Sequence, residues 1–168
     1  IDLYTEVVDI ARKLGDKVLE GNTLGSLGTV FNSKGDHDRA IEHMNQSIDI
    51  AREIGDRRRE GLNLGNLGLV HLNKGDTEQA IAHYTQALDI AREIGDKRNV
   101  GNNLGNLGNA YQEKGETDQA IKHHTQAIDI AREIGNKRGE GLELGNLGRI
   151  LCQQNRFREA EDALRNAI

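Results

Sequence analysis

The sequence predicts an all-α superhelical solenoid of antiparallel helix pairs. Three observations carry that expectation: self-similarity at a fixed period, stop and start residues that cut each period in two, and a composition that favours helix. The phrase GNNLGNLGNA at 101–110 recurs as GNTLGSLGTV from Gly21, GLNLGNLGLV from Gly61 and GLELGNLGRI from Gly141, a step of 40 residues. Aligned on one another, 61–100 and 101–140 share 26 of 40 positions. Repetition this faithful marks stacked supersecondary units, because a flexible linker has no reason to repeat.

Each period divides into two helices. Gly55–Asp56 and Gly75–Asp76 each supply a stop glycine followed by an N-cap aspartate. Between these signals the apolar residues recur at helical spacing among Ala, Leu, Ile, Glu, Gln, Arg and Lys, which are good helix formers. The unit therefore reads as helix A near 57–73 and helix B near 77–94. Extended along the chain, this gives a single array over 1–168: a leading B helix at 1–14, then pairs at 17–54, 57–94, 97–134 and 137–168.

On helix A, Leu64, Leu67 and His71 fall on one stripe, and Gly61, Gly65 and Gly68 cluster on its flank. Glycine inside a helix costs about 1 kcal/mol against alanine, so three per helix require a reason. The expected reason is close packing, with the flank meeting a small-residue stripe of Ala80, Ala87 and Ala91 on helix B. A phosphate-cradling loop is excluded by context: no strand precedes the glycines, and no Gly-Lys-Ser/Thr follows them.

Charged residues make up 29% of the chain, yet the formal net charge is only -5 and the signs are interspersed. No global basic field is present to attract nucleic acid or anionic lipid. No apolar run approaches a membrane span and no signal-peptide pattern opens the chain. One cysteine, Cys152, offers no internal disulfide and suits a reducing compartment, so a cytoplasmic protein is expected. The start at Ile1 in mid-pattern suggests a piece of something longer.

Leu64, Leu67, Gly68, Ala80, Tyr84 and Ala87 resemble, in type and spacing, the signature of tetratricopeptide repeats (TPRs). The same positions recur as Leu24, Leu27, Gly28, Ala40, Met44 and Ser47, then as Leu104, Leu107, Gly108, Ala120, His124 and Ala127. A last set is Leu144, Leu147, Gly148, Ala160, Leu164 and Ala167. Leucine replaces the family's first tryptophan, and Arg52, Arg92 and Arg132 stand where a closing proline is usual. The period of 40 residues, with its NLG and AREIGD phrases, is similar to the long-repeat arrays of LGN/Pins-type scaffolds and of bacterial signalling proteins. The resemblance implies a non-catalytic scaffold that binds an extended peptide of a partner protein in a concave groove lined by A helices.

The helical phase opposite the core stripe identifies candidate peptide-binding residues. Ser26, Asn66, Asn106 and Asn146 form one column, and a carboxamide can both donate to and accept from a peptide backbone. Val18, Arg58, Arg98 and Arg138 form a second column beside Lys17, Arg57, Lys97 and Lys137. Cations in the first turn oppose the helix dipole, which points either to a basic edge for an acidic ligand or to pairing with Asp56, Asp96 or Glu133. His43, His83 and His123 also align, but equivalent positions on stacked hairpins lie too far apart to share one metal, so packing histidines are expected. Neither a catalytic constellation nor a cofactor is expected, and Asp49–Arg52 reads as a surface pair.

The alternative reading is a structural, consensus-like module whose helices serve stacking. Helix 1–14 keeps Val7, Val8, Ile10 and Leu14, so end-to-end self-association through an apolar open side is expected. At the other end Asn155 replaces the stop glycine and Glu161 replaces an isoleucine, so helix 157–168 should tolerate exposure.

Overall fold

A computed structural model describes residues 1–159 and 161 of the chain. Within them are α1 (Asp2–Leu14), α2 (Lys17–Ser33), α3 (His37–Glu53), α4 (Arg57–Lys74), α5 (Thr77–Glu93), α6 (Lys97–Lys114), α7 (Thr117–Glu133) and α8 (Lys137–Gln153). No strand occurs among the described residues. The even-numbered helices are A helices and the odd-numbered ones B helices. The signature positions Ala160, Leu164 and Ala167, and the tolerance expected of helix 157–168, lie outside the described residues or depend on them.

The turns explain the regular length of the helices. Gly15, Gly35, Gly55, Gly75, Gly95, Gly115 and Gly135 all have positive φ, between 68° and 88°, a left-handed conformation that glycine adopts without strain. After each glycine, the next residue's N–H returns to the helix just ended, as from Asp56 to the Ala51 carbonyl at 2.8 Å. The same aspartate then opens the next helix, its Oδ1 accepting from Arg59 N–H at 2.9 Å. Asp16, Asp36, Asp96 and Asn136 cap in the same way. Glu116, one methylene longer, makes no side-chain cap bond. Asn155 takes the stop position at φ 58°, as the non-glycine residue best suited to that region. The departure at 155 from glycine therefore leaves the turn intact.

The chain divides into two compact units, Ile1–Ile90 and Ala91–Ile168, the division falling inside α5. In the first, α1 packs on α2, α2 on α3 and α3 on α4. Leu24, Leu27, Phe31, Met44, Leu64 and Leu67 form the centre of its core. In the second, α6 packs on α7 and α7 on α8, with Ile128, Leu144 and Leu151 clustered together.

The glycine flank is a packing surface, but the small-against-small arrangement expected from the sequence is corrected. Bulky side chains of helix B lie flat on the bare backbone of helix A. A Cβ on Gly28 would fall 2.6 Å from Met44 Cγ, one on Gly68 2.8 Å from the Tyr84 ring, and one on Gly108 2.6 Å from His124 Nε2. Ile50, Ile90 and Ile130 cover Gly21, Gly61 and Gly101 less tightly, with Cγ2 at 3.0–3.2 Å from the same built position. The glycines thus make room for Met, Tyr and His in a core with few aromatic residues.

Candidate functional site

In the first unit, the A helices α2 and α4 flank a cleft of about 390 Å³. Gly21 and Gly25 lower its α2 wall, and Asn22, Ser26, Arg58, Leu62 and Asn66 also line it. Ser26, Arg58 and Asn66 are exposed. The floor is held by a buried polar chain: Asn63 Nδ2 donates to Ser47 Oγ at 2.7 Å, and Ser47 Oγ donates to the Gly21 carbonyl at 2.6 Å. Asn63 can reach Ser47 only because Gly25 lacks a side chain, since a Cβ there would lie 2.9 Å from Asn63 Oδ1.

The second unit repeats this junction with other side chains. Gly101, Asn102, Asn136, Gly139 and Glu143 hold the places of Gly21, Asn22, Asp56, Arg59 and Asn63. They line a cleft of only about 30 Å³, which Arg98 also borders. Glu143 Oε2 meets His124 Nδ1 at 2.7 Å, with the imidazole fully buried. Asn106 and Asn146 are half-buried, Arg138 is exposed, and none of the three lines this smaller cleft. The structure thus brings Arg58 and Asn66 together, sets Arg98 at a second and narrower cleft, and leaves Asn106, Asn146 and Arg138 outside it.

The cations beside the arginine column have structural partners. Arg57 and Lys137 bond to Glu60 and Glu140, and Lys97 Nζ bonds to Glu133 at 2.5 Å. Arg59 Nε pairs with Asp56 at 3.1 Å. The basic first turn is therefore in part a set of internal ion pairs.

Sequence reasoning missed the buried glutamates in these pairs. Glu20, Glu60 and Glu140 are each under a tenth exposed, and each accepts from an arginine Nε at 2.7 Å: Arg12, Arg52 and Arg132 respectively. The guanidinium of Arg132 and the ammonium of Lys137 hold the Glu140 carboxyl below its ordinary range. Arg52 also faces Asp49, as expected, but at 3.8 Å, so Glu60 is its principal partner. The signal was present as a Glu-Gly pair recurring at 20, 60 and 140, always eight residues after an arginine.

His43, His83 and His123 stack on Phe31, His71 and Tyr111, with ring centroids 5.1–5.2 Å apart. Burial pushes all three imidazoles below their ordinary pKa. Their Nδ1 atoms are buried without a hydrogen-bond partner, as suits neutral packing rings. Among the described residues no three potential ligands converge as a metal would require.

Comparison with known proteins bears on the helix pairs directly. The model of the tetratricopeptide repeat matches residues 1–53 and 60–133, and a second model of that description matches 144–168. The chain belongs to the tetratricopeptide-repeat family. Solved structures share its fold. BtubC from P. vanneervenii superposes with a TM-score of 0.89 at 22% identity, over 99% of this chain and 69% of that one. Aspartyl phosphate phosphatase F from Bacillus subtilis gives 0.91 at 14% identity, over 99% and 44%. A Rap protein complexed with competence and sporulation factor gives 0.84 at 18%, over 99% and 47%. This TPR chain spans less than half of the last two. No curated protein matches it in sequence. No helix among its described residues is long and apolar enough to cross a membrane.

Proposed function

We propose that this TPR chain is a non-catalytic, cytoplasmic scaffold that binds an extended, acidic peptide segment of a partner protein along its A helices. The observation that carries the reading is the cleft between α2 and α4, where Ser26, Asn66 and Arg58 share one lining. Asn66 would hydrogen-bond the peptide main chain, giving affinity with little sequence preference. Arg58 would supply the preference for acid, with Arg98 and Arg138 as its counterparts in the later repeats and Asn106 and Asn146 continuing the asparagine column. The 40-residue step continues unchanged across residue 90, which supports reading the repeats as one series. A Rap protein of the same fold was solved in complex with competence and sporulation factor, which supports a binding role for the fold class.

The test is titration of the protein with an acidic and a neutral peptide of equal length at two salt concentrations. The proposal predicts tighter binding of the acidic peptide and loss of that advantage as salt rises, since exposed charges are screened. Equal, salt-independent binding of both would reject the acidic preference, and no binding of either would reject the groove.

A stacking module is the second reading, and α1 favours it. Leu3, Ile10 and Leu14 are 72%, 51% and 73% exposed and fall on one helical stripe. Sedimentation velocity over a concentration series decides this reading. Mass that rises with concentration, and falls back in Leu3→Glu, supports end-to-end association; a constant monomer rejects it.

A further inference from the structure

We propose that the repeat built on α6 and α7 holds a site for a small apolar monocarboxylate, in the place that a buried glutamate fills in the other repeats. Glu20, Glu60 and Glu140 occur once per repeat at the same position of helix A. Each carboxylate takes an arginine Nε at 2.7 Å and a second cation from Lys17, Arg57 or Lys137. In the remaining repeat that position is Val100. Its arginine and second cation are still present, as Arg92 and Lys97, each with an interaction of its own within the chain, just as Arg52 faces Asp49 while it holds Glu60.

The substitution is accompanied by a cavity of about 410 Å³, a volume suited to a small ligand. Ala91, Val100, Leu104 and Ile130 give it an apolar wall, and Arg92 and Lys97 border it. An apolar chain can therefore pack on Val100 and Leu104 while its carboxylate meets the two cations, so that the charge is paired where it leaves water.

Two acidic neighbours bear on this assignment. Lys97 Nζ already bonds to Glu133. In the first repeat, however, the corresponding Lys17 Nζ serves Glu53 at 3.4 Å and Glu20 at 3.6 Å together, so one lysine accommodates both carboxylates. Asp129 also lines the cavity. Its counterpart one repeat earlier is Asp89, and Glu60 is held there all the same. A ligand with two negative charges would be opposed by Asp129 and Glu133, which is why the site is assigned to a monocarboxylate. None of the residues used here lines the α2–α4 cleft, so this proposal is independent of the peptide reading.

The experiment follows backbone amide shifts of Val100 and Leu104 while the protein is titrated with hexanoate, 1-hexanol and acetate. Hexanoate should saturate. Hexanol, which lacks the charge, should bind about tenfold or more weakly, the ratio that hydrogen bonds to a charged group confer. Acetate, which lacks the apolar chain, should also bind more weakly. Val100→Glu reproduces the three sister repeats, so it should fold and lose hexanoate binding by filling the site itself. Arg92→Gln should weaken hexanoate selectively and leave hexanol unchanged, which keeps the test decisive even if Val100→Glu fails to fold. Absence of saturation by hexanoate, equal affinity for hexanol, or undiminished hexanoate binding in a folded Val100→Glu or Arg92→Gln protein would each overturn the proposal.

Discussion

The junction around Gly25 in the first unit and the junction around Gly105 in the second occupy the same place in the repeat and differ in chemistry. In the first, Asn63 reaches past Gly25 to Ser47, and both polar groups are neutral. In the second, Glu143 lies over Gly105 and bonds to the buried His124. The cleft beside Asn63 measures about 390 Å³, and the one beside Glu143 about 30 Å³. Helix lengths, caps and stop residues are nearly the same in both units. The repeat thus keeps its frame and changes the wall of a cleft by replacing a few side chains. Under the peptide reading, the first junction suits an acidic segment better, because Arg58 and Arg59 line it beside the one carboxylate of Asp56, whereas Arg98 alone lines the second beside Glu143.

The largest effect that sharpens this comparison lies beneath the clefts. Gly108→Leu should destabilise by ~1–3 kcal/mol or more through overpacking, because even a Cβ there meets the rigid His124 ring at 2.6 Å. Gly28→Ala should cost less, since its neighbour is the flexible Met44. Urea unfolding of both variants measures the difference, and equal costs would remove the distinction between the two packing partners.

Next in size is the polar pair itself. Glu143→Ala leaves His124 buried with neither ring nitrogen bonded, because Nε2 already has no partner; the expected cost is ~1–3 kcal/mol. Asn63→Ala leaves Ser47 still bonded to the Gly21 carbonyl, so about 0.5–1.5 kcal/mol is expected. A larger loss from Asn63→Ala in thermal or urea unfolding would reverse the ranking of the two junctions.

A smaller effect should be common to both units. His43, His83 and His123 are held below their ordinary pKa, chiefly by burial. As pH falls through about 6.5, the unfolded chain takes up these protons before the folded one does. Stability should be whole above that pH, decline below it, and level off once the folded imidazoles charge. His83→Phe should flatten part of that slope in a series of melts between pH 7.5 and pH 5; an unchanged slope would show that the histidine column does not drive it. Smallest of all is Gly101→Ala. Helix propensity favours it by up to about 1 kcal/mol, while Ile130 Cγ2 at 3.2 Å from the new Cβ opposes it. A net change within about 0.5 kcal/mol is expected in the same unfolding assay, as for ordinary surface substitutions.

Most of the fold was legible in the sequence because its determinants are local. The stop glycines, capping aspartates and helical periodicity act within one or two turns of chain, and the observed helix ends agree closely with the expected ones. The long-range partners were much less legible. That Met44, Tyr84 and His124 would fill the glycine flank depends on two helices meeting, and the signature shows those residues only as a variable position. The buried glutamates were hidden by their charge, which places a residue on the surface by default until a cation from the preceding helix is counted. Asn66 and Arg58 were legible as a phase on a helical wheel. The wheel could not show that Asn106, Asn146 and Arg138 would stand away from the narrower second cleft, because the lining of that cleft, Glu143 included, comes from three helices at once.

The central claim is that the α2–α4 cleft selects acidic peptides through Arg58, and charge reversal at that residue tests it most directly. Affinities of one acidic and one neutral peptide should be measured for wild type, Arg58→Glu and Asn66→Ala by titration at low and at physiological salt. Arg58→Glu should weaken the acidic peptide roughly fivefold, the scale of an exposed ion pair, leave the neutral peptide unchanged, and flatten the salt dependence. Asn66→Ala should weaken both peptides alike. Unaltered binding of the acidic peptide to Arg58→Glu would contradict the account.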